Sequence, residues 1–405
     1  MGKPLKILLI AFEMPPARSA GVQRPYRFAE YLAEMGAEPY VLTASADIYQ
    51  RFDHELQISP LLQDRIFRSK ATDASKLFSL FGRSPAFAAV PDRYWPWYFS
   101  AVALGQQLIR EHDIDLIWST YPVLTSHLIG RSLSKKTGKP WVADFRDPLQ
   151  CHYNPAYQHF NGLMRYLERK VVAQASAVVT TSQAAADLYR NLYPAKPPAK
   201  FQVIENGFVP LDLPPATTPD KFTLLYSGAL YGNGRDISGI FRAIAELQQQ
   251  GLISADNFVL KFRGSGKPEQ FAATLTQFGI SALVEFLPAV PFMQAQAEMM
   301  QCSANLLIQD QIFQYQIPGK LYDYIQSGKP LLAICPPGSA TAEASRVMPN
   351  AVQAWQQAEL TTALQRLITA PPQPGLSPAQ AQPFSRRQRT VELMALCQQL
   401  LTQQL

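Results

Sequence analysis

Cysteine is scarce in this chain: Cys151, Cys302, Cys335 and Cys397 are four in 405 residues, and no two stand at metal-ligand spacing. That excludes a disulfide framework and argues against a zinc site, and it fits a reducing cytoplasm. Long apolar runs are also missing. Residues 5–12 are apolar but only strand-length, and Glu13 cuts them off, so neither a secretory leader nor a spanning helix is expected. No block of Lys and Arg resembles a nucleic-acid arm, so nucleic acid is not an expected partner. A GxGxxG fingerprint and a Walker A loop are likewise absent, which disfavours a nicotinamide-type dinucleotide site and a P-loop.

What is present is globular. The chain is 47% hydrophobic and 17% charged, enough for two buried cores at this length. The net charge of +6 favours an anionic partner, nucleotide phosphates or a membrane surface. Short β-branched runs alternate with amphipathic helical patterns, the signature of βαβ units around parallel sheets. Strands are predicted at 6–12, 39–43, 115–120, 141–145, 177–181 and 201–205. A second series follows at 222–227, 258–263, 284–287, 305–308 and 331–334. Residues 207–221, with Pro210, Pro214, Pro215 and Pro219, form the best linker. The expected domains are 1–207 and 208–384, with a last helix at 385–401 that packs back on the first. Residues 47–91 break the rhythm and suggest an insertion with short helices.

Four loops at predicted strand ends carry the chemistry, because open α/β sheets bind ligands there. The first, 12–21, has Gly21 at a helix start, where a ligand can approach backbone amides, and Arg24 one turn in. The second, Tyr226-Ser227-Gly228-Ala229-Leu230-Tyr231-Gly232-Asn233-Gly234-Arg235, is a strand, a glycine-rich loop and a guanidinium able to bridge two phosphate oxygens. In the third, Ile317-Pro318-Gly319-Lys320-Leu321-Tyr322-Asp323, Lys320 lies in the first helical turn. A cation there opposes the helix dipole unless an anion docks beside it. Asp323 is one turn on and can hold ribose hydroxyls. The fourth, Asp144-Phe145-Arg146-Asp147, sets two carboxylates and an arginine at a strand end; the reading is either a polar cleft or an internal Arg–Asp pair tying the loop down.

Taken in order, "FEMPPARSAGVQRPYRFAEYLAEMGAEPYVLTA", "VADFRDP", "ENGF", "YSGALYGNGRD", "FRGSG" and "IPGKLYDYIQSGKPLLAI" resemble the retaining glycosyltransferases of family four, bacterial surface-polysaccharide enzymes among them. The resemblance implies the α/β GT-B fold, two Rossmann-like domains facing across a cleft. It also implies a hexosyl transfer from a nucleoside diphosphate to a glycan or lipid-linked acceptor, with retention of configuration. By the resemblance Gly228, Arg235 and Lys320 contact the diphosphate, Asp323 the ribose, and Gly264, Gly266 and Leu321 help to hold the donor. Asp144 and Asp147, with Arg235 and Lys320, are the catalytic candidates. Gly21, Arg24 and Arg146 are the acceptor-side ones. No metal and no cofactor are expected beyond the sugar nucleotide as co-substrate, and domain closure would exclude water.

Two departures from the family pattern stand out. Tyr315 and Asp323 occupy the places of its glutamate pair, and Ala20-Gly21 replaces two glycines. A sugar-nucleotide epimerase of the same fold and a non-catalytic nucleotide-sugar-binding protein are the alternatives. Finally, residues 78–104 form an aromatic stretch with basic residues in and beside it, among them Lys76, Phe78, Phe87, Arg93, Trp95, Trp97 and Phe99. They suit either peripheral contact with an anionic membrane, at its inner face, or the start of a core helix.

Overall fold

The computed structural model describes residues 3–19, 21–53, 56–79, 84–149, 160–211, 219–230, 235–266, 268–371 and 373–403. The chain divides into two compact units, Met1–Glu205 with Arg386–Leu405, and Asn206–Ser385.

The first unit is built on seven parallel strands: β1 (Lys6–Ile10), β2 (Glu38–Ala44), β3 (Ile66–Ser69), β4 (Leu116–Thr120), β5 (Trp141–Phe145), β6 (Ala177–Thr180) and β7 (Phe201–Val203). Their spatial order is β3-β2-β1-β4-β5-β6-β7. Central strands are apolar without alternation because helices cover both faces; every residue of β4 and of β5 is buried. The helix Gln23–Glu34 turns Tyr26, Phe28, Ala29 and Leu32 to the core and gives way to Gly36, whose φ of 84° suits only glycine. Close packing elsewhere also needs glycine: a Cβ on Gly130 would lie 2.6 Å from Trp141 Nε1. The C-terminal helix Arg386–Thr402 lends Leu393, Leu396, Cys397 and Leu400 to this same core, and Arg387 pairs with Glu34 on the Gln23–Glu34 helix.

The second unit has six parallel strands, β8 (Phe222–Ser227), β9 (Phe258–Arg263), β10 (Val284–Leu287), β11 (Ala304–Ile308), β12 (Leu331–Ile334) and β13 (Ala351–Ala354), ordered β10-β9-β8-β11-β12-β13. Each sheet therefore reverses its strand order once, between β1 and β4 and between β8 and β11. At such a point the flanking connections leave in opposite directions and open a crevice at the strands' carboxyl ends.

Two strands escape the sequence pattern. β3 lies inside the stretch read as a helical insertion, and β13 follows a helix without a clear apolar run. Both are edge strands, four residues long and mostly half-exposed, so neither needs the continuous apolar run that marks a central strand.

Candidate functional site

In the first unit the carboxyl ends of β1, β4 and β5 enclose a depression of about 200 Å³, lined among others by Phe12, Glu13, Gly21, Thr120, Tyr121 and Arg146. The loop after β1 is held from below: Thr43 Oγ1 and Tyr49 OH both donate to the Phe12 carbonyl, at 3.0 and 2.8 Å. At the helix start the Gly21 amide donates to Ser19 Oγ (3.0 Å), which donates in turn to Glu13 Oε2 (2.7 Å). A Cβ at Gly21 would fall 1.7 Å from that carboxylate oxygen, so a side chain there would expel Glu13. Glu13 also borders a second, larger depression of about 570 Å³ with Arg18, Ser19, Arg51 and Tyr94 on its wall. Glu13 is not among the residues that the sequence motifs single out. Its signal is an acid set directly after a buried apolar strand.

Arg24 and Asp144 lie apart from this surface. Arg24 Nε and Nη2 donate to the two oxygens of Asp144 at 2.9 and 2.7 Å, and the side chains are 1% and 0% exposed. Arg24 Nη1 also donates to the Glu205 carbonyl and Nη2 to the Ile204 carbonyl, each at 2.8 Å, and Thr120 Oγ1 donates to Asp144 at 2.7 Å. Arg24, expected as an acceptor-side contact, and Asp144, expected as an acid/base group, form a buried ion pair with each other. The Arg–Asp tie that the sequence allowed does form, but with Arg24 from 120 positions away. Arg146 and Asp147 are half-buried beyond the end of β5. Arg146 Nη2 donates to the Gly21 carbonyl at 3.0 Å. Burial holds the Asp147 carboxyl above the usual carboxylate range against the pull of Arg146, and burial together with the Arg24 charge lowers the Arg146 guanidinium.

In the second unit the loops after β8 and β9 are stitched together. Gly228 N donates to the Arg263 carbonyl at 2.8 Å, and Ser265 Oγ donates to the Gly228 carbonyl at 3.0 Å. Gly228, Gly264 and Gly266 all have positive φ, at 113°, 67° and 106°, so each loop folds back on itself where a side chain would be strained. Arg235 is anchored by Nη1 to the Ala229 carbonyl (2.6 Å) and to Tyr226 OH (3.2 Å). Residues 231–234, the Tyr-Gly-Asn-Gly of the sequence motif, lie outside the described residues, as does Cys151.

The helix Lys320–Ser327 begins beside these loops, positioned by Tyr324, whose hydroxyl donates to the Leu306 carbonyl at 3.2 Å and receives the Ser227 amide at 3.5 Å. Lys320 Nζ sits 3.9 Å from the centre of the Tyr226 ring. It is shut off from solvent and has no hydrogen-bond partner among the described residues. A Cβ added to Gly228 would stand 3.2 Å from it. Burial, then the like charge of Arg235, push the ammonium well below its ordinary pKa, and Asp323 counters them in part. Leu321 is fully buried and Asp323 half-buried in the same turn. Gly228, Lys320 and Arg235 thus share one neighbourhood, with Gly264 and Gly266 on the adjoining loop. An orphaned, desolvated ammonium beside a guanidinium is a place for an anion.

Residues 22–210 match Glycosyltransferase Family 4. The match covers most of the first unit. In structure, the chain is similar to a sucrose-phosphate synthase from Thermosynechococcus elongatus over 98% of this chain and 99% of that one (TM-score 0.68, 14% identity). It is similar to Anabaena HepE in complex with UDP over 98% and 100% (TM-score 0.62, 14% identity). An α,α-trehalose-phosphate synthase (UDP-forming) from Burkholderia vietnamiensis aligns over 99% and 100% (TM-score 0.64, 11% identity). A search of curated protein sequences found no significant match. The fold is GT-B, with two Rossmann-like halves.

Proposed function

We propose that the protein is a glycosyltransferase that takes a UDP-sugar in its second unit and passes the glycosyl group, with retention, to a glycan or lipid-linked acceptor held by the first. The observation that carries this reading is the Lys320 ammonium, buried and without a hydrogen-bond partner among the described residues, beside Arg235 and the glycine loops after β8 and β9. A diphosphate supplies the negative charge that ammonium lacks, and HepE, of like fold, is a UDP complex.

When the bond between the anomeric carbon and the β-phosphate oxygen breaks, its electron pair leaves with UDP. Lys320 and Arg235 meet that growing charge in a desolvated setting, where fixed cations stabilise it most. Asp323 is the ribose partner on this reading. Gly264 and Gly266 let the backbone come close to the base. On the acceptor side Asp147 is the acid/base or orienting candidate, since its carboxyl is shifted toward neutrality. Arg146 anchors an anionic group, and Arg24–Asp144 fixes the frame behind them. The test is to incubate the protein with a panel of UDP-sugars and a bacterial glycan and lipid extract, following UDP release and labelled sugar together. UDP release with label recovered in an acceptor supports transfer. Interconversion of sugars without transfer makes it an epimerase, and binding without turnover a sugar-nucleotide-binding protein.

A further inference from the structure

The aromatic stretch read from the sequence divides in two in the structure. Trp97 is fully buried, with Nε1 donating to Ser69 Oγ at 2.9 Å, and Tyr94 stacks on Phe12 at 4.1 Å. The other half faces out: Leu77, Phe78, Phe87 and Phe99 are 61%, 43%, 59% and 66% exposed. They are continuous, because the Phe78 ring lies 6.1 Å from Phe87 and 6.4 Å from Trp95, and Trp95 lies 6.4 Å from Phe99. Phe81 and Arg83 lie outside the described residues.

We propose that this surface docks the first unit onto an anionic lipid bilayer. Charge decides the occupant. From Lys70 to Leu104 the only acids are Asp73 and Asp92, and both are buried. Asp73 is taken up by Arg93 and the Ser75 amide, and Asp92 by the amides of Tyr94 and Thr125 and the Thr125 hydroxyl. Among the described residues of this stretch, the large and charged side chains that reach solvent are therefore apolar, mostly aromatic, and cationic, with Lys70 and Lys76 exposed. Rings that enter the interface and lysines that meet anionic headgroups are what such a surface accommodates. A second copy fits less well, since a two-fold contact would set like charges face to face. No described helix is long and apolar enough to cross a membrane, so the contact is peripheral. Tyr94, beside Trp95, also lines the larger depression that carries Arg18 and Arg51. If the transferase reading holds, a lipid-borne acceptor would present its headgroup at that depression.

The test is sedimentation of the full chain with vesicles of phosphatidylcholine alone or mixed with phosphatidylglycerol, at low and high salt. Binding is expected only to the mixed vesicles and only at low salt. Phe87→Ser with Phe99→Ser should lower it at least about tenfold, and Lys70→Ala or Lys76→Ala about fivefold each. Melting temperature and UDP titration on the same preparations should be unchanged, which separates failure of this surface from failure of the donor site. Wild-type protein that ignores anionic vesicles, or a double variant that sediments as well as wild type, overturns the proposal. So does a wild-type dimer that the double variant dissolves, because the occupant is then a second copy.

Discussion

The guanidinium of Arg24 and the carboxylate of Asp144 stand 120 positions apart in sequence and close on each other through two hydrogen bonds of 2.9 and 2.7 Å, out of reach of solvent. Through Arg24 the helix after β1, the end of β5 and the carbonyls that follow β7 are tied to one point. Removing one partner leaves the other charge buried and unpaired, which costs about 3–5 kcal/mol. Asp144→Ala should therefore lower the denaturant midpoint strongly, whereas Arg24→Met with Asp144→Leu should recover much of the loss. Equal stability of Asp144→Ala and wild type would contradict the pairing.

Lys320 is expected to act in the opposite sense. Its amine is held without a hydrogen-bond partner among the described residues and with Arg235 nearby, so keeping it protonated costs the unliganded protein stability. Lys320→Met should raise the melting temperature, by about 2–4 °C for each kcal/mol relieved, while donor binding weakens. A lowered melting temperature would mean that the ammonium is paired in the free protein.

The same residue fixes a pH dependence. Its folded pKa lies below the ordinary lysine value, so between the two the unfolded chain binds more protons. Stability of the free protein should then rise with pH across that window and flatten above the ordinary value. An anionic donor favours the protonated form, so binding should take up a proton and weaken as pH climbs through the depressed pKa. Titrations in buffers of different ionisation enthalpy read this directly. Proton release, or affinity flat up to the ordinary lysine pKa, would count against Lys320 as the diphosphate partner.

Burial raises the pKa of Asp147, the carboxylate proposed for the acceptor side. Turnover should fall on the acid side of a pH profile, at a pH above the usual carboxylate range. Asp147→Asn should remove that limb and lower kcat by about 10²–10⁴, with donor affinity little changed. A variant that keeps the limb assigns the titration elsewhere.

The two sheets were legible because buried parallel strands such as Leu331–Ile334 must be apolar throughout, and no other demand competes for those positions. β3 and β13 were not, since an edge strand of four residues leaves almost no pattern. Lys320 could be singled out from sequence because a cation in a first helical turn breaks a local rule. Its nearness to Tyr226 and Gly228 depends on how the sheet brings β8 beside that helix. The Arg24–Asp144 pair was not legible, because a carboxylate at a strand end looks the same whether it faces a ligand or an arginine 120 residues away. Glu13 looked like a strand terminator, and only the loop geometry joins it to Ser19 and Gly21.

The most direct test of the central claim is calorimetric titration of UDP and a panel of UDP-sugars into wild type, Arg235→Ala and Lys320→Met. The account predicts binding by wild type and a loss of about 2–4 kcal/mol in each variant, some thirtyfold to a thousandfold in Kd. Wild-type affinity in both variants would contradict it.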